Sequence, residues 1–216
     1  MKEILIFFDA VGTLIYPDPP VYEIYQSIAN KYGSNLTEDI ISKRFKKSYK
    51  THFSINPEIN TLSNEKLEKQ RWKNVIDDIF NDTSISNPDL FLELWQHFSE
   101  PKHWKLYDDT KQFLDKLINT GIYVGLASNF DARILTISKE LLPTIDSSRI
   151  FYSTDLGFAK PNVNFYKSIG DATQGNQDNY IMIGDDWEND IEAANNAGWT
   201  AIHRDNIDTL YTKLYL

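Results

Sequence analysis

The chain has 216 residues, enough for a buried core in one or two domains, and its 41% hydrophobic and 25% charged composition suits a globular protein rather than a disordered one. Its 31 acidic against 22 basic side chains leave a formal net charge of −9, which argues against sequence-independent nucleic-acid binding. The absence of cysteine excludes a disulfide framework, a thiolate zinc site, an iron–sulfur cluster and a cysteine nucleophile.

The first apolar run, Ile4 to Phe8, stops at Asp9. It is too short for a membrane span or a signal-peptide core, so the chain reads as cytoplasmic and free of membrane partners. On that reading the sequons Asn35-Leu36-Thr37 and Asn81-Asp82-Thr83 are chance matches. From about Tyr16 to Phe98 no comparable strand is evident. Val21, Ile24, Tyr25, Ile28, Ala29 and Tyr32 have helix spacing, entered through Pro19-Pro20 and ended by Gly33. Thr37 is a candidate N-cap, with Leu36 and Ile41 placed as a hydrophobic staple. Leu67, Trp72, Val75, Ile76 and Ile79 continue the helical pattern, which predicts an all-helical insertion. Residues 37–80 hold nine Lys/Arg against seven Asp/Glu, so this segment carries +2 in an acidic chain. Lys43, Arg44, Lys46, Lys47 and Lys50 supply most of that charge. They read first as a solvated helix face, and second as a lid attracting an anion.

After the insertion, strand and helix alternate. Phe113, Leu114, Leu117 and Ile118 mark a helix with Asp108, Asp109 and Thr110 as candidate caps and Gly121 at its end. Tyr123 to Ala127 and Tyr180 to Ile183 are continuous apolar strands, and Asp190 to Ala197, closed by Gly198, reads as a helix. Together these predict a Rossmann-like α/β core, a doubly wound parallel sheet. The division is 1–15 and 99–216 for the core and 16–98 for the helical segment.

Ligand sites in such sheets lie outside the carboxyl ends of the strands, where polar clusters follow the apolar runs here. Asp9, followed by Gly12-Thr13, has the chemistry of a nucleophile or a metal ligand. Asp185, Asp186 and Asp190 would repel one another unless they take up protons or share a cation, and magnesium with oxygen ligands satisfies that need. Asp190 alone reads as an N-cap. Ser128-Asn129 offers donors suited to phosphate oxygens. Lys160-Pro161 reads as a helix start that places an ammonium beside a helix N-terminus. His52, His97, His103 and His203 are scattered and read as structural, and Trp72, Trp95 and Trp104 read as core. The stretch from Asp185 to Asp190 is no EF-hand loop, because Trp187 stands where an oxygen ligand belongs.

The ordered set Phe8-Asp9-Ala10-Val11-Gly12-Thr13-Leu14, Ser128-Asn129, Lys160-Pro161 and Gly184-Asp185-Asp186-Trp187-Glu188-Asn189-Asp190 resembles the four motifs of the haloacid dehalogenase-like (HAD) hydrolase superfamily. The resemblance implies an α-helical cap of the first type over the core and a magnesium cofactor. It makes Asp9 the nucleophile that becomes an aspartyl-phosphate. Thr13, Ser128 and Asn129 would then contact the phosphoryl group, and Lys160 would offset charge. Asp185, Asp9 and the Val11 carbonyl would hold the metal, supported through water or another ligand by Asp186 or Asp190. Phosphatases of the superfamily usually carry an Asp, acting as general acid and base, where this chain has Val11. Three functions follow from the resemblance. The first is a magnesium-dependent phosphatase of a small phosphorylated metabolite, slowed by Val11. The second is a metal-free 2-haloacid dehalogenase-type enzyme, which the acidic fourth motif disfavours. The third is a nearly inactive ligand- or protein-binding member. Substrate identity and oligomeric state stay open at this point.

Overall fold

Leu5–Phe8 forms β1, and all of its side chains are buried because it lies at the centre of a sheet covered on both faces. Ile6 and Phe8 point into one apolar cluster, while Leu5 and Phe7 point into another. That is the physical origin of the continuous rather than alternating apolar run. A computed structural model describes residues 4–53, 62–81 and 88–206, so the sequon beginning at Asn81 runs outside the described residues. β1 pairs in parallel with β4 (Tyr123–Ser128) on one side and β6 (Tyr180–Gly184) on the other. β5 (Ile150–Tyr152) and β7 (Thr200–His203) complete the five-stranded order β5-β4-β1-β6-β7. The strand order reverses around β1, so its carboxyl end, at Asp9, sits at the crevice between two oppositely wound halves.

Before the sheet continues, the chain leaves through β2 (Ile15–Pro17) and returns through β3 (Trp104–Leu106), an antiparallel ribbon in which Pro17 faces Trp104. The segment read as helical from Tyr16 therefore begins inside a strand. Three residues are too few to show a period of two. Between the ribbon strands lie α1 (Val21–Lys31), α2 (Glu38–Phe53), α3 (Glu65–Ile79) and α4 (Pro88–His97). They enclose an apolar cluster of their own that includes Ile28, Ile41, Val75, Ile79, Leu90 and Leu94. Leu36 packs against that cluster beside Ile41, as the staple predicts. Leu67 departs from expectation and is 40% exposed, because Glu68 takes the buried position next to it.

The core helices are α5 (Thr110–Asn119), α6 (Arg133–Leu141), α7 (Ser153–Leu156), α8 (Val163–Thr173) and α9 (Ala193–Asn196). Asp109 precedes α5, but its side chain makes no cap and instead accepts from Arg204 Nη2 at 2.9 Å. α9 is entered through a π-helical turn, Trp187–Glu192, so the helix expected from Asp190 starts one turn earlier. Among the described residues no helix is long and apolar enough to cross a membrane.

Candidate active site

Asp9 is the first residue beyond β1, fixed by its N–H donating to the Ile183 carbonyl of β6 at 2.8 Å. Lys160 reaches it from the loop before α8. The Lys160 ammonium donates to Asp9 Oδ1 at 2.8 Å, Asp190 Oδ1 at 2.5 Å and the Ala127 carbonyl at 3.0 Å. All three of its donors are engaged, and the side chain is only 2% exposed. Asn129, beyond β4, clamps the Lys160 backbone on both sides. Its Oδ1 accepts from Lys160 N at 2.7 Å and its Nδ2 donates to Lys160 O at 2.9 Å. The Asn129 amide thus orients the lysine through its carbonyl and one of its two N–H donors. Pro161 does not start α8. The cap is Asn162, whose Oδ1 accepts from Asn164 N at 2.8 Å. What holds the ammonium is a pair of carboxylates, not a helix N-terminus.

The other acids come from the loop after β6. Asp185 Oδ1 accepts from the Thr13 hydroxyl at 3.1 Å, so the Thr13 proton orients Asp185. Gly12 covers this carboxylate with φ +94°, and a Cβ there would stand 2.3 Å from Asp185 Oδ2. Only glycine permits both the backbone conformation and the close approach. Asp186, not Asp190, caps the π-helical turn. Its Oδ1 accepts from Asn189 N at 2.9 Å and its Oδ2 from Asn189 Nδ2 at 3.0 Å. The wide turn carries Asp190 back under Gly184, where a Cβ would lie 2.1 Å from Asp190 Oδ2. Asp190 is 1% exposed and has both oxygens occupied, Oδ1 by Lys160 and Oδ2 by Asp186 N at 3.1 Å.

Carboxylate oxygens of Asp9, Asp185 and Asp190 lie within 4.8 Å of one another. Three negative charges face one ammonium. Burial pushes the Asp185 carboxyl above its ordinary value and the nearby Asp9 charge adds to the effect. Burial likewise pushes Asp190 up, against the opposing pull of Lys160. For Lys160, burial favours the neutral amine, but Asp190 and Asp9 outweigh it and hold the ammonium charged. With Asp190 committed to Lys160, the excess negative charge falls on Asp9 and Asp185. That all-oxygen pair at a cavity wall suits a hard divalent cation.

The carboxylates open into a cavity of about 570 Å³, bordered also by Val11, Ser128, Asn129 and Lys160. Its far wall is aromatic. Trp72, Trp95 and Trp104 all border it, so they are not simply core. Lys43, Lys46, Lys47 and Lys50 are exposed and outside its lining, as the solvated-face reading expects. His203, read from the sequence as structural, stands beside the site at the end of a strand neighbouring β6, its Nε2 3.0 Å from the Asp185 backbone carbonyl. Arg204 donates from Nε to the Thr13 carbonyl at 2.7 Å and so braces the loop over Asp185, with no sequence signal to reveal it.

A parallel sheet with two strand-end aspartates, a buried lysine and a helical segment over the cavity defines an α/β protein built around a carboxylate centre. The chain belongs to the haloacid dehalogenase-like hydrolase family, whose profile matches residues 5–198. It is 27% identical over 202 residues to haloacid dehalogenase-like hydrolase domain-containing protein 3 of Xenopus laevis, covering 90% of this chain and 81% of that one. It is 29% identical over 222 residues to an uncharacterised hydrolase of Schizosaccharomyces pombe, covering 98% and 94%. Among solved structures, a HAD hydrolase of Bacillus subtilis bound to magnesium superposes with a TM-score of 0.76 at 15% identity, each chain covered in full. A defluorinating L-2-haloacid dehalogenase matches with a TM-score of 0.72 at 15% identity over 92% of this chain and 79% of that one. A HAD phosphatase of Thermococcus onnurineus matches with 0.67 at 18% identity over 99% and 98%. Both reactions occur on this fold, so the site must choose between them.

Proposed function

We propose that this chain is a magnesium-dependent phosphohydrolase of a small phosphorylated metabolite, with residues 1–15 and 99–216 as catalytic core and 16–98 as a cap. The observation that carries this reading is the charge of the site, three mutually close carboxylates against one ammonium. A dehalogenase of this architecture needs Asp9 and a cation to steady it, and Lys160 already provides that. Asp185 would then be an unneutralised charge that opposes substrate carboxylate binding.

Magnesium held by Asp9, Asp185 and the Val11 carbonyl would neutralise phosphoryl oxygens. Asp9 attacks phosphorus, and the Lys160 bond to Oδ1 fixes the rotation of its carboxylate. Ser128, at the carboxyl end of β4 on the cavity wall, would hold a phosphoryl oxygen. Asp190 keeps Lys160 charged and seated, and Asn129 fixes the backbone beneath it. Val11 offers neither acid nor base. General acid–base catalysis is worth about 10²–10⁴-fold, so release of a poor leaving group and hydrolysis of the intermediate are both slow. A net charge of −9 supports a small-molecule substrate over a nucleic acid.

The test is hydrolysis of phosphate esters and of 2-chloropropionate, each with magnesium and with EDTA. Phosphate release that needs magnesium supports the reading. Halide release that persists in EDTA, without phosphate release, replaces it with the dehalogenase.

A further inference from the structure

We propose, building on the phosphohydrolase reading, that the cavity takes an uncharged aromatic group and that the substrate is an aryl phosphate monoester. The cavity, at about 570 Å³, holds far more than a phosphoryl group. Phe45, Tyr49 and Phe53 recur every fourth residue along α2 and so line one face of it. The Tyr49 and Phe53 rings stack at 4.7 Å and 14°, and Trp72 of α3 stands 4.9 Å from Phe53. Tyr49 is 42% exposed although it borders the cavity. A large aromatic surface is thus left open where a planar ligand can stack.

The charges around this wall argue for a neutral group. Among the described residues bordering the cavity, every cationic side chain already has a carboxylate. Arg71 pairs with Glu68 at 2.6 Å, Arg133 pairs with Asp131 at 2.7 Å, and Lys160 pairs with Asp9 and Asp190. Arg133 is further covered by Trp95, its guanidinium 3.6 Å from the ring centre. A second phosphate or a carboxylate on the substrate would find no uncompensated cation.

Val11 points the same way by an independent route. With Val11 where an acid usually stands, both Asp190 oxygens engaged by Lys160 and Asp186 N, and Asp185 held by Thr13 and assigned to the metal, the departing oxygen leaves as an anion. A phenol, with a pKa of about 10, tolerates that far better than an aliphatic alcohol. In the first step an Asp9 oxygen bonds to phosphorus while the bond from phosphorus to the aryl oxygen breaks. The electron pair stays on the aryl oxygen, which takes a proton from water. Water then attacks phosphorus, the bond to Asp9 breaks, and the carboxylate and inorganic phosphate are restored with a proton passing to solvent.

Non-hydrolysable phosphonates test the site by calorimetry on the magnesium-loaded protein. Naphthylphosphonate should bind about tenfold or more tighter than methylphosphonate, with phenylphosphonate between them. The gap should shrink in Tyr49→Leu and in Trp72→Leu, which keep apolar volume but remove the rings. Should either variant fail to fold, the order of the three phosphonates on the wild-type protein decides alone. Equal binding of methyl- and naphthylphosphonate overturns the proposal. In turnover, phenyl phosphate should outpace benzyl phosphate, an alkyl ester of similar shape, and the reverse order removes the aryl-ester assignment. Acetyl phosphate, which has no ring and needs no acid, reports on the underlying function. Its hydrolysis without an aromatic preference overturns this inference alone. Failure to hydrolyse any phosphate overturns the phosphohydrolase reading and the ester with it.

Discussion

Replacing Asp185 by Asn should stabilise the metal-free protein and abolish its response to magnesium, so that the ranking of wild type and variant inverts with the metal. Asp185 and Asp9 are like charges within 4.8 Å. Two unit charges at that separation repel by about 3.5 kcal/mol at an effective dielectric constant of ~20 and by about 0.9 kcal/mol in water. Asp185 is exposed at the cavity wall, so the relief falls near the lower figure, about 1 kcal/mol. Asparagine can still accept from Thr13, so no buried donor is orphaned. The sign agrees with the carboxyl's raised pKa, because a group harder to ionise when folded destabilises the fold at pH 7. For a chain of this size about 1 kcal/mol corresponds to a Tm rise of ~2–4 °C in EDTA. Wild type should then gain about 2.7 kcal/mol at magnesium one hundred times Kd, and the variant should gain almost nothing. Thermal melts followed by circular dichroism, in EDTA and across a magnesium series, read both effects. A variant that melts lower than wild type in EDTA, or that gains as much from magnesium, would refute the assignment of Asp185 as the cation's ligand.

Asp190→Asn should behave oppositely. Removing the charge that faces buried Lys160 at 2.5 Å should cost about 3–5 kcal/mol in urea unfolding, while calorimetric magnesium affinity changes far less than in Asp185→Asn. Gly184→Ala should reproduce that destabilisation, since its Cβ would meet Asp190 Oδ2 at 2.1 Å; a melt unchanged from wild type would mean that Asp190 is not held as described. Val11→Asp should shorten the slow phase after a p-nitrophenol burst by about tenfold or more in a folded, metal-loaded protein. His97, half-buried against His103 with an enclosed Nε2 that has no hydrogen-bond partner among the described residues, has its pKa lowered by burial to about 4. The folded state then binds fewer protons than the unfolded one, so stability should fall as pH drops from about 6.5 toward 4. His97→Phe should flatten that fall in urea titrations at pH 7 and pH 5.

The strand-end acids were legible because a buried parallel strand writes a continuous apolar run, and a carboxylate breaking it stands out. Asp9 and Asp185 were found in this way and Lys160 from its pair with Pro161, and the geometry brings the three together. The partnership of Asp190 was not legible, because a π-helical turn shifts its phase from that of an ordinary helix and places it beneath Gly184. Asn129 carries the donors of a phosphate-binding residue, and only the fold reveals that its carbonyl and one of its two N–H donors are engaged by the Lys160 backbone. Trp72 of α3 and Trp95 of α4 have the same spacing whether a helix faces a packed core or an open cavity, so sequence assigned them to the core. The β2–β3 ribbon was missed because each strand has three residues, and pairing across 87 residues of chain leaves no local pattern.

The claim at the centre of this account is that phosphoryl transfer passes through Asp9, and mass spectrometry of acid-quenched protein tests it most directly. With magnesium and p-nitrophenyl phosphate, quenching during the slow phase should yield close to one phosphoryl group per chain, mapped to Asp9 and absent in EDTA. With Val11 where a carboxylate usually stands, this intermediate should live long enough to accumulate. Steady phosphate release with no phosphoryl group on Asp9 at any quench time, from a folded and metal-loaded protein, would contradict the account.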